Sequence, residues 1–323
     1  MVNSRFNTDT EFATFKDHVR NQFQPLGTLD KRLSENLNFL IKNSKDFEEG
    51  TPTSERFLFV VGPSGSGKSF TLRHHFKRTP AFQPFINAQG KEVKPFLSFE
   101  APNKFASRDI LATILEKMGL PNQGSENTLR GVLRTQIPKS GLKFLHIDEA
   151  QHAIRSNTPK TLQAFQDAIK SLVKIDDWPL HVILSGIPTL SALRTTDDQI
   201  LRRSNSVAIR PVTVPADAQY VLTAIKTVAV THCGLTLDPN LETEEFAGRL
   251  CASCGGAWGY MIEVVQNACF LAIENNREML KVSHFAHNYR MKHGCRENEN
   301  IFTAPGEFWR KLVPANAHAD MGA

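Results

Sequence analysis

Residues 57–69 read FLFVVGPSGSGKS, and this stretch decides the fold class. The first five residues are apolar and predict a buried strand, and the octet Gly62–Ser69 follows them with the spacing G-x-x-x-x-G-K-S. The residues from Lys68 to Lys77 predict a helix. A strand, a glycine-rich turn and a helix in this order are typical of a loop that binds phosphate groups.

The octet predicts the contacts of a nucleoside triphosphate. Glycines let the backbone curl until successive N–H groups point at one anion, and the helix N-terminus adds its positive dipole end. We expect Lys68 to reach the β and γ phosphates of ATP and the Ser69 hydroxyl to bind Mg²⁺. The predicted nucleotide-binding residues of the loop are Gly62, Pro63, Ser64, Gly65, Ser66, Gly67, Lys68 and Ser69.

An acidic pair further along the chain indicates what happens to the nucleotide. Residues 142–152 read LKFLHIDEAQH, an apolar strand that ends in Asp148 and Glu149. A carboxylate at a strand's carboxyl end is placed to hold the Mg²⁺ shell, so Asp148 joins the predicted nucleotide and metal site. Glu149 is placed to polarise a water molecule for attack on the γ phosphate. Adjacent acidic residues therefore favour hydrolysis by water.

The rest of the pattern alternates short apolar strands with longer helices, which predicts an α/β fold with a five-stranded parallel sheet between helices. The predicted strands are residues 57–61, 96–99, 142–147, 181–184 and 207–212. The predicted helices are residues 29–43 ahead of the sheet, then 68–77, 107–118, 128–136 and 159–173.

The strand pattern stops near Pro215, and apolar residues then recur at three- and four-residue spacings, which predicts a small α-helical domain. We therefore expect a helical extension and linker at 1–50, an α/β core at 51–214 and a helical lid at 215–305. Residues 306–323 are expected to form a disordered tail.

Composition limits the classes of protein. The chain has 41% hydrophobic residues, enough for a sizeable core, and five cysteines, an odd number that does not suggest a secreted disulfide framework. No apolar run approaches the roughly 20 residues that span a bilayer. A cytoplasmic protein without a membrane partner is therefore expected. The net charge of +5 permits an anionic partner such as nucleic acid.

With these elements placed, the chain resembles the AAA+ ATPases of the TniB and TnsC family, which are ATP-dependent regulators of DNA transposition. The resemblance spans roughly residues 20 to 305. It is carried by FQPLGTLDKRLSENLNFLI (23–41), VVGPSGSGKS (60–69), FLHIDEAQH (144–152), ILSGIPTL (183–190), DQILRRS (198–204) and SCGGAWGYMIEVVQNA (253–268).

The resemblance implies an AAA+ P-loop NTPase core with a small helical lid. It also implies an ATP-switched protein that assembles with itself into a ring or helical filament on double-stranded DNA. The implied protein partners are a transposase and a target-selection protein of the TniQ type, and the implied cofactors are ATP and Mg²⁺.

The resemblance adds two candidate catalytic residues to Glu149. Ser185 stands where the family has a polar sensor of the γ phosphate, although a strand-end turn residue is the plain alternative. Arg203 fits the spacing of an arginine that reaches the nucleotide of a neighbouring subunit, with Arg202 as the second choice. The alternative for both arginines is a solvated pair before a strand.

The lid segment departs from the wider AAA+ pattern. Many relatives carry an arginine near the position of Tyr260, and this chain has an aromatic residue there. Tyr260 or Trp258 is a candidate to pack on the nucleotide base, and packing between lid and core is the alternative.

The best candidates for DNA contact are Lys104 and Arg108 in EAPNKFASRD (100–109), because the corresponding region of related proteins faces the DNA. Their expected partners are phosphates, which position a protein without reading sequence. Solvated loop charges are the alternative.

Four residues have the chemistry of zinc ligands: Cys251, Cys254, His284 and His287. Their central spacing is longer than that of common zinc fingers, so buried thiols and half-exposed imidazoles are the favoured interpretation.

Two rival functions remain from the sequence. A helicase-loader or origin-recognition ATPase shares the core and lid, although the roughly 30 residues after Arg290 are short for the winged-helix domain that would support it. A phosphotransferase would need an acceptor for the γ phosphate.

Overall fold

The structure is a computed structural model, and it describes residues 5–6, 8–102, 107–154, 158–175, 177–306 and 308–312. The described residues form two compact units. The sheet unit consists of Thr28–Gly62 and Lys68–Ile209, and the helical unit of Met1–Gly27, Pro63–Gly67 and Arg210–Ala323.

The described residues contain nine strands, most of them in the sheet unit. They are β1 (Phe57–Val61), β2 (Phe85–Ile86), β3 (Glu92–Val93), β4 (Phe96–Glu100), β5 (Phe144–Asp148), β6 (His181–Gly186), β7 (Ser204–Ala208), β8 (Thr236–Leu237) and β9 (Met279–Leu280).

Twelve α-helices lie in the same described residues. They are α1 (Asp9–Arg20), α2 (Gly27–Glu48), α3 (Lys68–Arg78), α4 (Ser107–Lys117), α5 (Glu126–Ser140), α6 (Pro159–Val173), α7 (Ala192–Thr195), α8 (Asp198–Arg202), α9 (Ala218–Lys226), α10 (Glu244–Ser253), α11 (Trp258–Glu274) and α12 (Val282–His293). None of them is long and apolar enough to cross a membrane.

The main sheet confirms the predicted α/β architecture. Its five strands run in the order β4-β5-β6-β1-β7, and every neighbouring pair is parallel. All carboxyl ends of the strands therefore lie along one edge. Because β1 and β5 are separated only by β6, the loop after β1 and the acidic pair after β5 are brought to the same edge.

Burial explains why these segments read as apolar runs. All five residues of β1 and all six of β6 are buried, as is typical of central strands covered on both faces. Alternate β1 residues, from Phe57 to Val61, belong to one core with the apolar faces of α4, α5 and α6. This core fixes the strand ends that carry the candidate site.

The helical unit has a separate core. α1 packs on α11 through aromatic residues, with Phe12 and Phe15 each making an edge contact to Phe270 at 6.4 Å between ring centroids. A helical extension was predicted at 1–50, but without bounds for α1, because few apolar residues leave most of this helix polar.

The structure corrects several predicted boundaries. The last strand of the sheet is Ser204–Ala208, not 207–212, because its polar first residues pair with β1 from Phe57 onward. The region expected to be all-helical contains β8 and β9, which form a two-residue parallel ladder. The helix ahead of the sheet runs from Gly27 to Glu48, so it is longer than the predicted 29–43 at both ends.

Candidate nucleotide site

The glycine-rich loop leaves the carboxyl end of β1. Gly62 donates its N–H to the carbonyl of Gly186 at the end of β6, at 3.1 Å, and α3 begins at Lys68. Gly65 and Gly67 have φ angles of +72° and +88°. Residues with a Cβ adopt this left-handed region at a cost, so the glycines permit the tight curl of the loop.

Lys68 is held inside the sheet unit. Its side chain is 4% exposed, and Nζ donates to the carbonyl oxygen of Gly62 at 2.8 Å. Burial lowers the pKa of Lys68, while the charges of Glu149 and Asp148 act in the opposite direction. A buried ammonium group beside two carboxylates forms a charged pocket suited to phosphate and a metal ion.

Asp148 accepts hydrogen bonds from three neighbouring residues. Its Oδ1 accepts from the Ser185 hydroxyl at 2.5 Å and from the backbone N–H of Glu149 at 3.0 Å, and the Ser69 hydroxyl also donates to the carboxylate. Burial alone raises the pKa of Asp148, but these hydrogen bonds and the nearby His146 outweigh it and hold the pKa below its usual value. The carboxylate is therefore anionic.

This donor set fits Mg²⁺. Because the Ser69 proton points at Asp148, the lone pairs of the Ser69 hydroxyl remain for a cation. Magnesium prefers such oxygen ligands and is usually bound through one or two carboxylates together with substrate phosphates.

A line of hydrogen bonds extends from Asp148 across three strands. His146 Nε2 and Nδ1 lie 2.8 Å from the hydroxyls of Ser185 and Ser98. The Ser185 hydroxyl donates its proton to Asp148. His146 Nε2 must therefore donate to Ser185, and His146 Nδ1 must accept from the Ser98 hydroxyl. Burial lowers the pKa of His146 to about 4, so the ring is neutral at physiological pH and this direction is maintained.

Ser185 is thus fully buried, with its only proton committed to Asp148. Glu149 follows β5 and has a φ of +50°, a left-handed conformation that is uncommon outside glycine. The three predicted residues Asp148, Glu149 and Ser185 are all at the carboxyl edge of the sheet.

The tip of the loop, Pro63–Gly67, packs within the helical unit. Tyr260 donates its N–H to the Gly65 carbonyl at 3.0 Å. A Cβ on Gly259 would lie 2.8 Å from Gly65 O and 2.9 Å from Gly67 N, so the start of α11 touches the loop backbone itself. The Ser66 hydroxyl is buried and has no hydrogen-bond partner among the described residues, as in a loop shaped for an additional polar ligand.

The two aromatic residues considered for base packing have different surroundings. Trp258 is buried in the helical core, and its indole N–H donates to the Gln24 carbonyl at 3.1 Å. Tyr260 is half-buried, and Lys292 Nζ stands 4.1 Å from the centre of its ring. The hydrogen bond to Tyr260 raises the pKa of Lys292, which keeps this lysine protonated. Because Trp258 is buried and its indole N–H is already hydrogen-bonded, Trp258 is a packing residue.

Arg203 lies at the opposite edge of the sheet from the loop. It immediately precedes β7, whose first residue pairs with Phe57 at the start of β1, and its carbonyl accepts from the N–H groups of Arg56 and Phe57. The loop begins five residues later along β1, roughly 16 Å away at about 3.3 Å per residue. Arg203 is half-buried and Arg202 is exposed. An arginine side chain is too short to span that distance to Gly62.

Of the two predicted DNA contacts, Lys104 lies outside the described residues. Arg108 is at the start of α4, where its Nε donates to the Gly124 carbonyl at 2.9 Å and a terminal nitrogen lies 3.5 Å from Asp109. The Arg108 side chain remains partly exposed.

The zinc-type residues have other partners. Cys251 Sγ lies 3.1 Å from the Val212 carbonyl, and burial raises the pKa of Cys251 to about 11 and that of Cys254 to about 12. His284 Nδ1 accepts the N–H of Lys281 in a helix cap. In the described part of the chain, no group of three or more His, Cys, Asp or Glu side chains is arranged to hold a metal.

Two residues of this site were missed from the sequence: His146 and Gln151. His146 interrupts an otherwise apolar strand, and a polar residue at such a position signals a buried hydrogen-bond partner. Gln151 follows the acidic pair by two residues, and its amide contacts Glu149. The only sequence signal for Gln151 was its position two residues after the acidic pair.

Comparison with known proteins agrees with this geometry. Residues 51–193 match the family described as the AAA domain. No curated protein sequence matches the chain.

Solved structures show the same fold at low sequence identity. The chain is similar to Cdc6p from Pyrobaculum aerophilum, with a TM-score of 0.58, 15% identity and coverage of 88% of this chain and 73% of that one. The Aeropyrum pernix ORC1 protein in complex with DNA is similar with a TM-score of 0.56 and 15% identity, over 88% of this chain and 68% of that one. Drosophila ORC bound to DNA is similar with a TM-score of 0.53 and 15% identity, over 93% of this chain and 74% of that one.

The AAA domain match and the fold likeness accompany a phosphate loop, an acidic pair and a parallel sheet in the expected order. The chain therefore has the AAA+ P-loop NTPase fold with a helical C-terminal portion, and it is an ATP-hydrolysing AAA+ enzyme.

Proposed function

We propose that this protein is an ATP-dependent regulator of DNA transposition of the TniB and TnsC type. In the ATP state it assembles with itself on double-stranded DNA, marks the target and recruits a transposase, with a TniQ-type protein choosing the target. Hydrolysis then drives disassembly. The support is the set of motifs from residue 23 to residue 268, on the AAA+ fold.

The proposed nucleotide site uses the loop Gly62–Ser69 for the phosphates and Ser69 with Asp148 for Mg²⁺. Mg²⁺ held by these residues would neutralise charge on the β and γ phosphates. Glu149 takes a proton from water as the water oxygen attacks the γ phosphorus and the bond to the ADP oxygen breaks. Ser185 remains the proposed polar sensor of the γ phosphate, and it would act through the Asp148 carboxylate to which its hydroxyl donates.

The observation that carries self-assembly is the position of Arg203. An arginine at the edge of the sheet opposite the loop cannot complete its own site, but it can enter the site of an adjacent subunit. A guanidinium offered in this way stabilises charge on the transferring phosphate and makes turnover depend on assembly. We propose 51–214 as the catalytic domain and 215–305 as the lid.

DNA binding is supported by the motifs and the mild positive charge. The similar ORC1 and Drosophila ORC structures are DNA complexes. Lys104 and Arg108 remain the proposed phosphate contacts.

The decisive experiment is electron microscopy of the protein with long duplex DNA in the absence of nucleotide, with ADP and with a non-hydrolysable ATP analogue. Ordered assemblies should form only with the analogue. Assembly that ignores the nucleotide would overturn the proposal.

The trans role has its own test, in which Arg203→Ala is mixed with Lys68→Ala. Each variant supplies the half-site that the other lacks, so mixing should restore part of the DNA-stimulated turnover. If mixed oligomers form and the turnover never exceeds that of the separate variants, Arg203 does not act in trans and Arg202 is tested next.

A second candidate is a helicase-loader or origin-recognition ATPase, which the likeness to Cdc6p and ORC structures favours. The two functions predict different partners: a replicative helicase for the second, and a transposase for the first. Stimulation of strand transfer in a purified transposition reaction would distinguish them.

A further inference from the structure

Gln151 forms a bridge between the acidic pair and the turn after β6. Its Nε2 donates to Glu149 Oε2, and its Oε1 accepts the backbone N–H of Ile187 at 3.2 Å. Both partners fix the amide in one orientation, because a carboxylate only accepts and an N–H only donates. The side chain is 7% exposed, so water competes little for either bond.

The turn leaves room for this amide because residue 186 is glycine. A Cβ on Gly186 would lie 2.1 Å from Gln151 Oε1. Gly186 also accepts the N–H of Gly62, the first residue of the phosphate loop. The bridge therefore reaches a segment that is itself bound to the loop.

Glu149 needs such a support. Its backbone has a left-handed φ of +50°, which is unfavourable for a residue other than glycine, and the orientation of its carboxylate depends on side-chain contacts. The hydrogen bond from Gln151 to Oε2 restricts rotation of the carboxylate, and Oε1 is the oxygen left to take a proton from water.

We propose that Gln151 is a positioning residue for ATP hydrolysis, which holds the Glu149 carboxylate in the orientation that accepts the proton of the attacking water. This inference rests on the proposed role of Glu149 as the base. It assigns no contact between Gln151 and the nucleotide.

Other charged residues surround Gln151 and Glu149. Lys68 on α3 interacts with Glu149, and Asp148 precedes it on β5. The turn after β6 at Pro188–Ser191 contains no ionisable side chain, and on α6 Lys170 pairs with Asp167 and Asp197. A carboxyl introduced at position 151 would therefore respond to Glu149, Asp148 and Lys68, and to the adjacent His152, whose ring Nδ1 lies 3.1 Å from the Ala101 carbonyl.

The test compares two substitutions of similar size. Gln151→Met removes both hydrogen bonds, and kcat should fall about 10- to 100-fold at every pH with KM and ATP affinity within about twofold. Gln151→Glu keeps the shape. At pH 8 its carboxylate repels Glu149, whereas once protonated it donates as the amide does, so its kcat relative to wild type should rise as pH falls towards 6.

A double-mutant cycle provides a second measurement. Gly186→Ala should displace the amide and lower kcat, whereas in a Gln151→Ala background it should cost little more, because Gln151 Oε1 is gone and the nearest remaining atom, at the end of the Leu190 side chain, is 3.2 Å away. Fully additive losses would show that Gly186 acts on turnover by another route and would count against the bridge.

Glu149→Gln is the control that separates the role of Glu149 as the base from the positioning role of Gln151. If this variant hydrolyses ATP at the wild-type rate, the role of Glu149 as the base is wrong. If it is inactive while Gln151→Met and Gln151→Glu keep the wild-type kcat and pH profile, the base stands and the positioning role of Gln151 is refuted.

Discussion

Gly259→Ala tests whether the start of α11 controls the shape of the phosphate loop. Within the helical unit, an added Cβ would lie 2.8 Å from Gly65 O, 2.9 Å from Gly67 N and 3.0 Å from Gly67 Cα. All three atoms belong to the backbone, so no side-chain rotation relieves the overlap. Helix or loop must move by roughly half an ångström to restore ordinary contact distances.

The size of the effect follows from that displacement. Overpacking by one methyl group in a well-packed region typically costs about 1–3 kcal/mol. If the loop relieves the overlap by leaving its phosphate-binding shape, ATP affinity should fall about 5- to 150-fold. The hydrogen bond from Tyr260 to the Gly65 carbonyl should weaken as well.

Titration with a fluorescent ATP analogue measures the affinity, and thermal unfolding without nucleotide measures the cost to the fold. The matched control is Gly131→Ala in α5, where an added Cβ meets nothing within 4 Å. This control should stabilise the protein by about 0.5–1 kcal/mol and leave ATP affinity unchanged. If Gly259→Ala keeps both wild-type affinity and wild-type stability, the close contact does not constrain the loop.

Three further outcomes are expected. Lys68→Ala should weaken ATP binding by roughly 100-fold or more in the same titration, because the buried ammonium is lost; near-normal affinity would contradict the site. Burial and the nearby Arg56 lower the pKa of His181 to about 3. The unfolded chain binds this proton near pH 6.5, so the free energy of unfolding should fall as pH drops from about 6.5 towards 3, and less steeply in His181→Gln. Arg249→Met should cost roughly 2–4 kcal/mol in urea unfolding, since this buried guanidinium satisfies backbone carbonyls after α12, whereas exposed Arg290→Met should cost under about 0.5 kcal/mol.

Sequence patterns located the elements whose local signals agree with their burial. β1 and α6 have the predicted bounds, because one is an apolar run buried on both faces and the other begins at a Thr158 cap followed by proline. β7 was misplaced since it begins with Ser204–Ser206, and its pairing with β1 overrides that polar composition. Tertiary pairing of this kind leaves no mark in a single strand's pattern.

The candidate site divides in the same way. Motif spacing predicts Lys68, Ser69 and Asp148 as site residues, because phosphate and metal chemistry restricts those positions to few residue types. The supporting contacts of His146 and Gln151 depend on which strands are neighbours and on the absence of a side chain at residue 186. Such contacts become visible only in three dimensions.

The placement of Arg203 and the phosphate loop at opposite edges of one sheet has a geometric consequence for the proposed assembly. A contact that joins one edge to the other edge of the next copy is head-to-tail, and it cannot be closed by a two-fold axis. A stack of copies joined in this way therefore has two different ends. In an open helix, the subunit at one end lacks a neighbour's arginine and retains its ATP longest, so that end resists loss of subunits while interior sites turn over. A closed ring has no such end.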